Sequence, residues 1–226
     1  MRMIQQLPGR ASNLEAVPGI RFSQCSKYNR FMQPSLLGKP PARSETAIRP
    51  ASRDDVVRMR ILRLEALLDS PQAFGGDFEE NKARTLAWWG EKITRGALEG
   101  SETMVVAEAR GRLVGMTGMV RGRSRKSRHI GMIYGVYVQP AWRGLGIGEA
   151  LVSACLEWGR QHGVRLAQLG VAVENTPAIR CYERCGFKVY GLEQMAIHWN
   201  GCDIDEYLMD VILASPEGQP ALPPGS

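Results

Sequence analysis

No apolar run in this chain approaches the ~18 consecutive residues needed to cross a bilayer as a helix, so a transmembrane helix is not expected. Cysteine is sparse and poorly patterned. The five residues Cys25, Cys155, Cys181, Cys185 and Cys202 are odd in number and contain no CxxC spacing, which leaves a disulfide scaffold or a zinc ribbon without a basis. The three histidines, His129, His162 and His198, form no HxxxH or HExxH pair, so a zinc hydrolase lacks its ligands. An excess of positive charge is also missing from most of the chain. The formal net charge is +6, but residues 1–44 carry seven Lys/Arg against Glu15 alone and account for all of it. The remaining 22 basic and 22 acidic residues cancel, which disfavours a phosphate-backbone partner.

What is present is the composition of a soluble globular chain: 226 residues, 44% hydrophobic and 23% charged, enough for one medium domain with tails. Residues 1–44 lack any helical or strand period and are interrupted by Pro8, Pro18, Pro34, Pro40 and Pro41, so they read as a disordered basic leader. Residues 214–226, with four prolines and two glycines, read as a disordered tail. The domain is expected over 45–213.

Within it the hydrophobic period alternates between values near 3.6 and 2. A short strand at Ala47–Arg49 precedes a helix over Asp54–Leu68, with Val57, Ile61, Leu64 and Leu68 as its apolar stripe. A second helix is expected over Phe78–Gly96. Strands follow at Thr103–Glu108, Leu113–Arg121 and His129–Val138, turned by Arg110-Gly111 and by a basic run from Arg121 to Arg128 that reads as a solvated hairpin loop. The helix Ile147–Gln161 is strongly amphipathic, through Ile147, Ala150, Leu151, Ala154, Cys155 and Trp158. A strand at Arg165–Val173, a short helix Pro177–Cys185 with Gly186 just past its end, and two strands at Glu193–Trp199 and Asp205–Leu213 around Asn200-Gly201 complete an α/β (or α+β) order with a mixed sheet.

The stretch with chemical content is Val136-Tyr-Val-Gln-Pro-Ala-Trp-Arg-Gly-Leu-Gly-Ile-Gly148. A strand ends, and Gly144, Gly146 and Gly148 alternate through the turn that starts the long helix. Glycines there let successive amides converge on one point, where a helix N-terminus adds partial positive charge, an arrangement suited to a pyrophosphate. The dinucleotide fingerprint fails because Glu149 and Leu151 stand where its third glycine belongs, and no Gly-Lys-Ser/Thr triplet completes a P-loop. The pattern [Q/R]xxGx[G/A] is met by Arg143, Gly146 and Gly148. Downstream, Asn175, Tyr182 and Gly186-Phe187 form an N-x6-Y-x3-G-F segment. With these two motifs, residues 47–213 resemble the GNAT superfamily of acyl-CoA-dependent N-acyltransferases.

The resemblance implies a single GNAT-like domain with a mostly antiparallel sheet, flanked by helices and splayed where two central strands, His129–Val138 and Arg165–Val173, run parallel and part near Val136. It implies acetyl-CoA as acyl donor and coenzyme A as product. The cofactor would be held by Val136, Tyr137, Val138, Arg143, Gly144, Leu145, Gly146, Ile147, Gly148, Asn175 and Tyr182, with the amides of 143–148 on the pyrophosphate. Val136 N–H would be the oxyanion donor and Tyr182 the acid for the leaving thiolate. Gly131 and Gly135 are consistent with a bulge that opens the strand. Thr176 is expected to cap the short helix, leaving the Asn175 side chain for ligand. Phe74 and Tyr134 are expected to touch the acceptor, a small-molecule or peptide amine. Glu108, His129 and Glu174 are positioned as bases, with none preferred; Cys181 and Cys185 read as packing residues. A protein N-terminal or lysine acetyltransferase and a non-catalytic acyl-CoA binder are the competing readings. No metal, membrane or nucleic-acid partner is expected; a cytoplasmic location and a homodimer are compatible.

Overall fold

Central strands of this chain are apolar almost without interruption because both faces of the sheet are covered. The computed structural model describes residues 5–6 and 42–213, so the expected leader, apart from Gln5–Gln6 and 42–44, and the expected tail lie outside the described residues. In chain order the elements are β1 (Thr46–Pro50), α1 (Val56–Asp69), α2 (Phe78–Ala83), α3 (Leu86–Glu99), β2 (Glu102–Ala109), β3 (Arg112–Arg121), β4 (Ile130–Val138), α4 (Ile147–Gln161), β5 (Leu166–Ala172), α5 (Thr176–Arg184), β6 (Lys188–Trp199) and β7 (Cys202–Ile212). The strands lie in the order β6-β7-β5-β4-β3-β2-β1, and Gln5–Gln6 pairs with Leu192 and Gly191 on the outer edge of β6. Every pairing is antiparallel except β4 with β5. Among the described residues no helix is long and apolar enough to cross a membrane.

One face carries the larger core. Ile147, Leu151, Val152, Cys155 and Leu156 of α4 pack there on Val105, Ala107, Val114, Ile133, Leu169 and Met209, and Phe187 closes the end below α5. The opposite face is covered by α1 and α3, through Met59, Leu62, Ala66 and Ile93, packed on Met104, Val106, Leu113, Met116 and Tyr137. Adjacent residues of β2 and β3 therefore serve opposite cores, which is why these strands do not alternate.

Four local expectations are corrected. The stripe expected to bury α1 is the wrong one: Val57, Ile61 and Leu68 are 53%, 59% and 65% exposed, whereas Met59, Leu62, Ala66 and Leu67 are buried. This helix is apolar along two rows, and periodicity alone does not choose between them. The single helix expected over 78–96 is two, because Arg84 is extended at φ −64°, ψ 132° and the Thr85 hydroxyl accepts from Trp88 N–H at 3.2 Å, restarting the chain as α3. Strand β6 begins at Lys188 rather than Glu193; register shifts at Val189/Gly191 and Glu193/Ile197 and a positive φ of 51° at Met195 break the alternation that would reveal it. Asn175, not Thr176, caps α5: its Oδ1 accepts from Ala178 N–H at 3.3 Å.

Candidate active site

The one parallel pair in the sheet is short. Strands β4 and β5 pair only through Ile130–Leu166, Gly131–Ala167 and Met132–Gln168, so they part four residues earlier than Val136. On its other side β4 pairs with β3, but the register slips between Gly118–Tyr134 and Met116–Tyr137. That bulge leaves Gly135 and Val136 with no partner on either neighbouring strand. Gly135 sits there at φ +64°, a conformation that disfavours side chains. Gly131 is not part of the bulge. It keeps regular pairing, and a Cβ there would stand 2.8 Å from Met119 Sδ.

The gap widens into a cleft of about 760 Å³ that collects nearly all the residues named from the sequence: Val136, Tyr137, Val138, Arg143, Gly144, Gly146, Ile147, Gly148, Asn175 and Tyr182, together with Phe74 and Tyr134. Leu145 is the exception; it points away and packs against the α4 core. A smaller hollow of about 320 Å³ between α1 and Gly111–Leu113 does not adjoin the glycine turn.

At the head of the cleft, Gly144 and Gly146 adopt φ +78° and +72°, and α4 begins at Ile147. Within the turn and first helical turn the first backbone hydrogen bond is Ala150 N–H to Gly146 O at 3.1 Å; the amides of 144–149 find no acceptor among the described residues. A row of unpaired N–H groups at a helix N-terminus, in glycine conformations that turn them one way, fits a diphosphate. A Cβ on Gly148 would lie 3.2 Å from Cys181 Sγ, so this glycine also lets α5 approach. Glu149 puts a carboxylate nearby, but Arg184 pairs with it through Nε at 2.7 Å.

Arg143 lines the cleft, and its polar groups are engaged within the protein. Its amide donates to Pro140 O at 3.2 Å, its Nε to Val138 O at 2.9 Å, and its Nη2 pairs with Asp69. It therefore braces the turn against α1, and the unpaired amides start one residue later. The expected freedom of Asn175 is corrected, since its side-chain oxygen is committed to α5.

Also in the cleft, Tyr182 of α5 is 7% exposed and meets Phe187 edge-on at 6.2 Å. Its hydroxyl has no hydrogen bond among the described residues. Burial pushes the phenol well above the usual tyrosine range, reinforced by Cys181, Cys185 and Glu206. Tyr134 gives its hydroxyl to Glu102, and Lys92 lies 4.7 Å from its ring centroid; burial, then Glu102, raises this phenol too.

Of the three acids and bases weighed from sequence, none enters the cleft. Glu108 is paired with Arg49 and Arg58, Glu174 is exposed, and His129 precedes β4 at the end away from the bulge. The sequence reading missed Glu206 of β7. Its Oε2 is 2.6 Å from where a Cβ of Gly170, a cleft residue, would stand. Only the pairing of β7 with β5 brings it there, opposite Ala172. Arg63 of α1, given no role of its own from the sequence, lies 4.8 Å over the Phe74 ring, eleven residues on in sequence.

Cleft, glycine turn and splayed strands together define an acyl-CoA type of site on an α/β sheet. Residues 64–187 match the family model described as the acetyltransferase (GNAT) family, and the chain belongs to that family. It is 40% identical over 63 residues to an uncharacterised N-acetyltransferase of Methanocaldococcus jannaschii, covering 28% of each chain. It is 29% identical over 188 residues to a mycothiol acetyltransferase of Thermomonospora curvata, covering 82% of this chain and 59% of that one. The matched parts thus span between about a quarter and three fifths of these curated relatives. Among solved structures, a GNAT-family acetyltransferase from Streptococcus pneumoniae superposes with a TM-score of 0.69 at 22% identity, over 75% of this chain and all of that one. A Salmonella typhimurium structure with its cofactor acetyl-CoA gives 0.64 at 23% identity, over 79% and 99%.

Proposed function

We propose that this protein is an N-acetyltransferase that moves the acetyl group of acetyl-CoA directly onto a primary amine of a small molecule. The observation that carries the reading is the unpaired amide row of 144–149 in one cleft with a strand bulge and a buried tyrosine. A plain strand-to-helix turn has no need of such donors, and a binder has no need of the tyrosine. The relative named for mycothiol supports a small acceptor.

Acetyl-CoA supplies an activated thioester carbonyl and a thiol leaving group. The amides of Gly144 to Glu149 hold the diphosphate, and the strand gap beyond Met132 and Gln168 admits the pantetheine arm as an added strand. Val136 N–H, released from strand pairing by the bulge, donates to the carbonyl oxygen as negative charge gathers on it. An alkyl amine, with a pKa near ~10.4, reaches the site as an ammonium and must lose a proton before attack. Glu206, beside Gly170 on the cleft wall, takes that proton. The amine adds to the carbonyl carbon, and the C–S bond breaks as the Tyr182 hydroxyl, kept protonated by burial, donates to the departing sulfur; the nitrogen's second proton leaves on collapse and restores the phenol through solvent. Holding amine and thioester side by side contributes much of the acceleration.

Thiol release from acetyl-CoA across a panel of primary amines, together with calorimetry of acetyl-CoA binding, tests the proposal. Amine-dependent release with measurable binding is expected. Binding without release for any amine makes the protein an acyl-CoA binder, and an absence of binding removes the reading altogether.

A further inference from the structure

Several arginines around this sheet are held by carboxylates. Arg49 and Arg58 share Asp55 and Glu108, Arg143 holds Asp69, and Arg184 holds Glu149. Arg63 makes neither a hydrogen bond nor an ion pair with any described residue. The carboxylates that follow it on α1 are engaged elsewhere: Glu65 accepts from Gln139 Nε2 at 2.8 Å, and Asp69 is taken by Arg143.

Nor is Arg63 a solvated surface charge. Its guanidinium carbon sits 4.8 Å from the Phe74 centroid. A Cβ on Gly76 would stand 2.8 Å from Nη2, and one on Gly135 would stand 3.8 Å from Nη1. The fork is thus wedged between the connection after α1 and the β4 bulge, one residue from the Val136 donor. Phe74, Tyr134 and Gly135, which surround it, all line the cleft. Burial lowers the pKa of this group, with Tyr134 opposing in part, yet an arginine keeps its charge in a protein. Arg63 is half-buried, and its nitrogens, which have no acceptor among the described residues, are left for a ligand to complete.

We infer that Arg63 selects the acceptor: its fork receives the carboxylate of an amine that also bears an acid group, an amino acid or a close relative of one. A planar carboxylate takes the fork through two parallel hydrogen bonds, and the same charge repels polycationic amines from the acyl end of the cleft. The inference rests on the N-acetyltransferase reading and narrows it.

The test uses the full chain, acetyl-CoA, and amino acids paired with their own primary carboxamides, so that amine and side chain stay constant while the acid is removed. Wild-type kcat/KM is expected to be at least about tenfold higher for the acids, the size of a charge-assisted hydrogen-bond pair. Arg63→Met removes that preference by raising KM for the acids at least about tenfold, leaving the carboxamides within about twofold and acetyl-CoA affinity unchanged. Arg63→Lys, which keeps the charge without the fork, recovers part of the preference and also serves if the Met variant does not fold. Equal use of acids and carboxamides by wild type, or equal losses on both in the variants, overturns the inference. If no amine is turned over although acetyl-CoA binds, the catalytic reading has failed, and calorimetry of the coenzyme A complex with N-acetyl amino acids and their carboxamides decides separately. Binding of the acids alone, lost in Arg63→Met, sustains the role of Arg63; no binding of either ends it.

Discussion

Replacing Tyr182 by phenylalanine removes one oxygen from the centre of the proposed chemistry and almost nothing from the fold. The ring is 7% exposed and packed on Phe187, and those contacts survive the substitution. The hydroxyl holds no hydrogen bond among the described residues, so no partner is stranded. Stability should change by less than about 0.5 kcal/mol, which moves the melting temperature by under ~2 °C for a chain of this size. Turnover is another matter. A positioned acid is worth ~10²- to 10⁴-fold in general, but a thiolate of ordinary pKa near ~8.5 leaves partly unaided. The expected loss is therefore at the lower end, about 10- to 100-fold in kcat, or ~1.4–2.7 kcal/mol in the barrier. The sign of the pH dependence follows from burial. A phenol held above its ordinary value keeps its proton through the whole neutral range, so wild-type kcat should show no alkaline decline from this group below about pH 10. Steady-state thiol release gives kcat, and calorimetry gives acetyl-CoA affinity. An unchanged kcat in the folded variant, or a loss that merely follows lost cofactor affinity, refutes the assignment of Tyr182 as the acid.

Three further outcomes are expected. Gly146→Ala forces a side chain into φ +72°, with its Cβ 3.0 Å from Glu149 Oε2; calorimetry should show acetyl-CoA bound about tenfold more weakly at a folding cost of ~1–2 kcal/mol, and unaltered affinity counts against the amide cradle. Glu206→Gln should depress kcat/KM more at pH 7 than at pH 9, because free amine increases with pH on its own; an equal reduction at both pH values removes Glu206 as the base. Asp55, fully buried and bonded to Arg49, Arg58 and Ser52, has its carboxyl held well below the usual range, chiefly by Arg49. Its stabilisation is complete above the unfolded value near ~3.9 and fades as pH falls through the native one. Asp55→Asn should cost about 2–3 kcal/mol at pH 7, at or just below the ~3–5 kcal/mol of a broken buried pair because both arginines are about a third exposed. The melting-temperature gap to wild type should narrow below about pH 4; a constant gap contradicts the ionic account.

What was legible in the sequence followed how locally each feature is encoded. Helix α4 and the Asn200-Gly201 hairpin carry their own periodicity and turn chemistry, and both lie where expected. The glycine turn and the Asn175–Phe187 segment carry fixed spacings, so all but one of the proposed cofactor residues meet in one cleft. Leu145 was misassigned because a turn residue's backbone and side chain can serve opposite sides, and spacing does not tell them apart. The buried row of α1 was misread because that helix offers two apolar rows and only the sheet chooses. Arg63 and Glu206 received no role because their places in the site are not locally encoded. One depends on a loop folding back through Phe74, the other on the last strand inserting between β5 and β6.

Three residue pairs are all the direct strand pairing that joins the β1–β4 block of the sheet to the β5–β7 block, with α4 laid across the seam. A cosubstrate threaded into that seam would act as mortar between two leaves, contributing backbone pairing the chain itself leaves out. Its binding energy then becomes part of the resistance to unfolding, about 2.7 kcal/mol when the free ligand stands a hundredfold above its Kd. On the proposed function, the protein would be sturdiest when charged with acyl donor and loosest just after product has left.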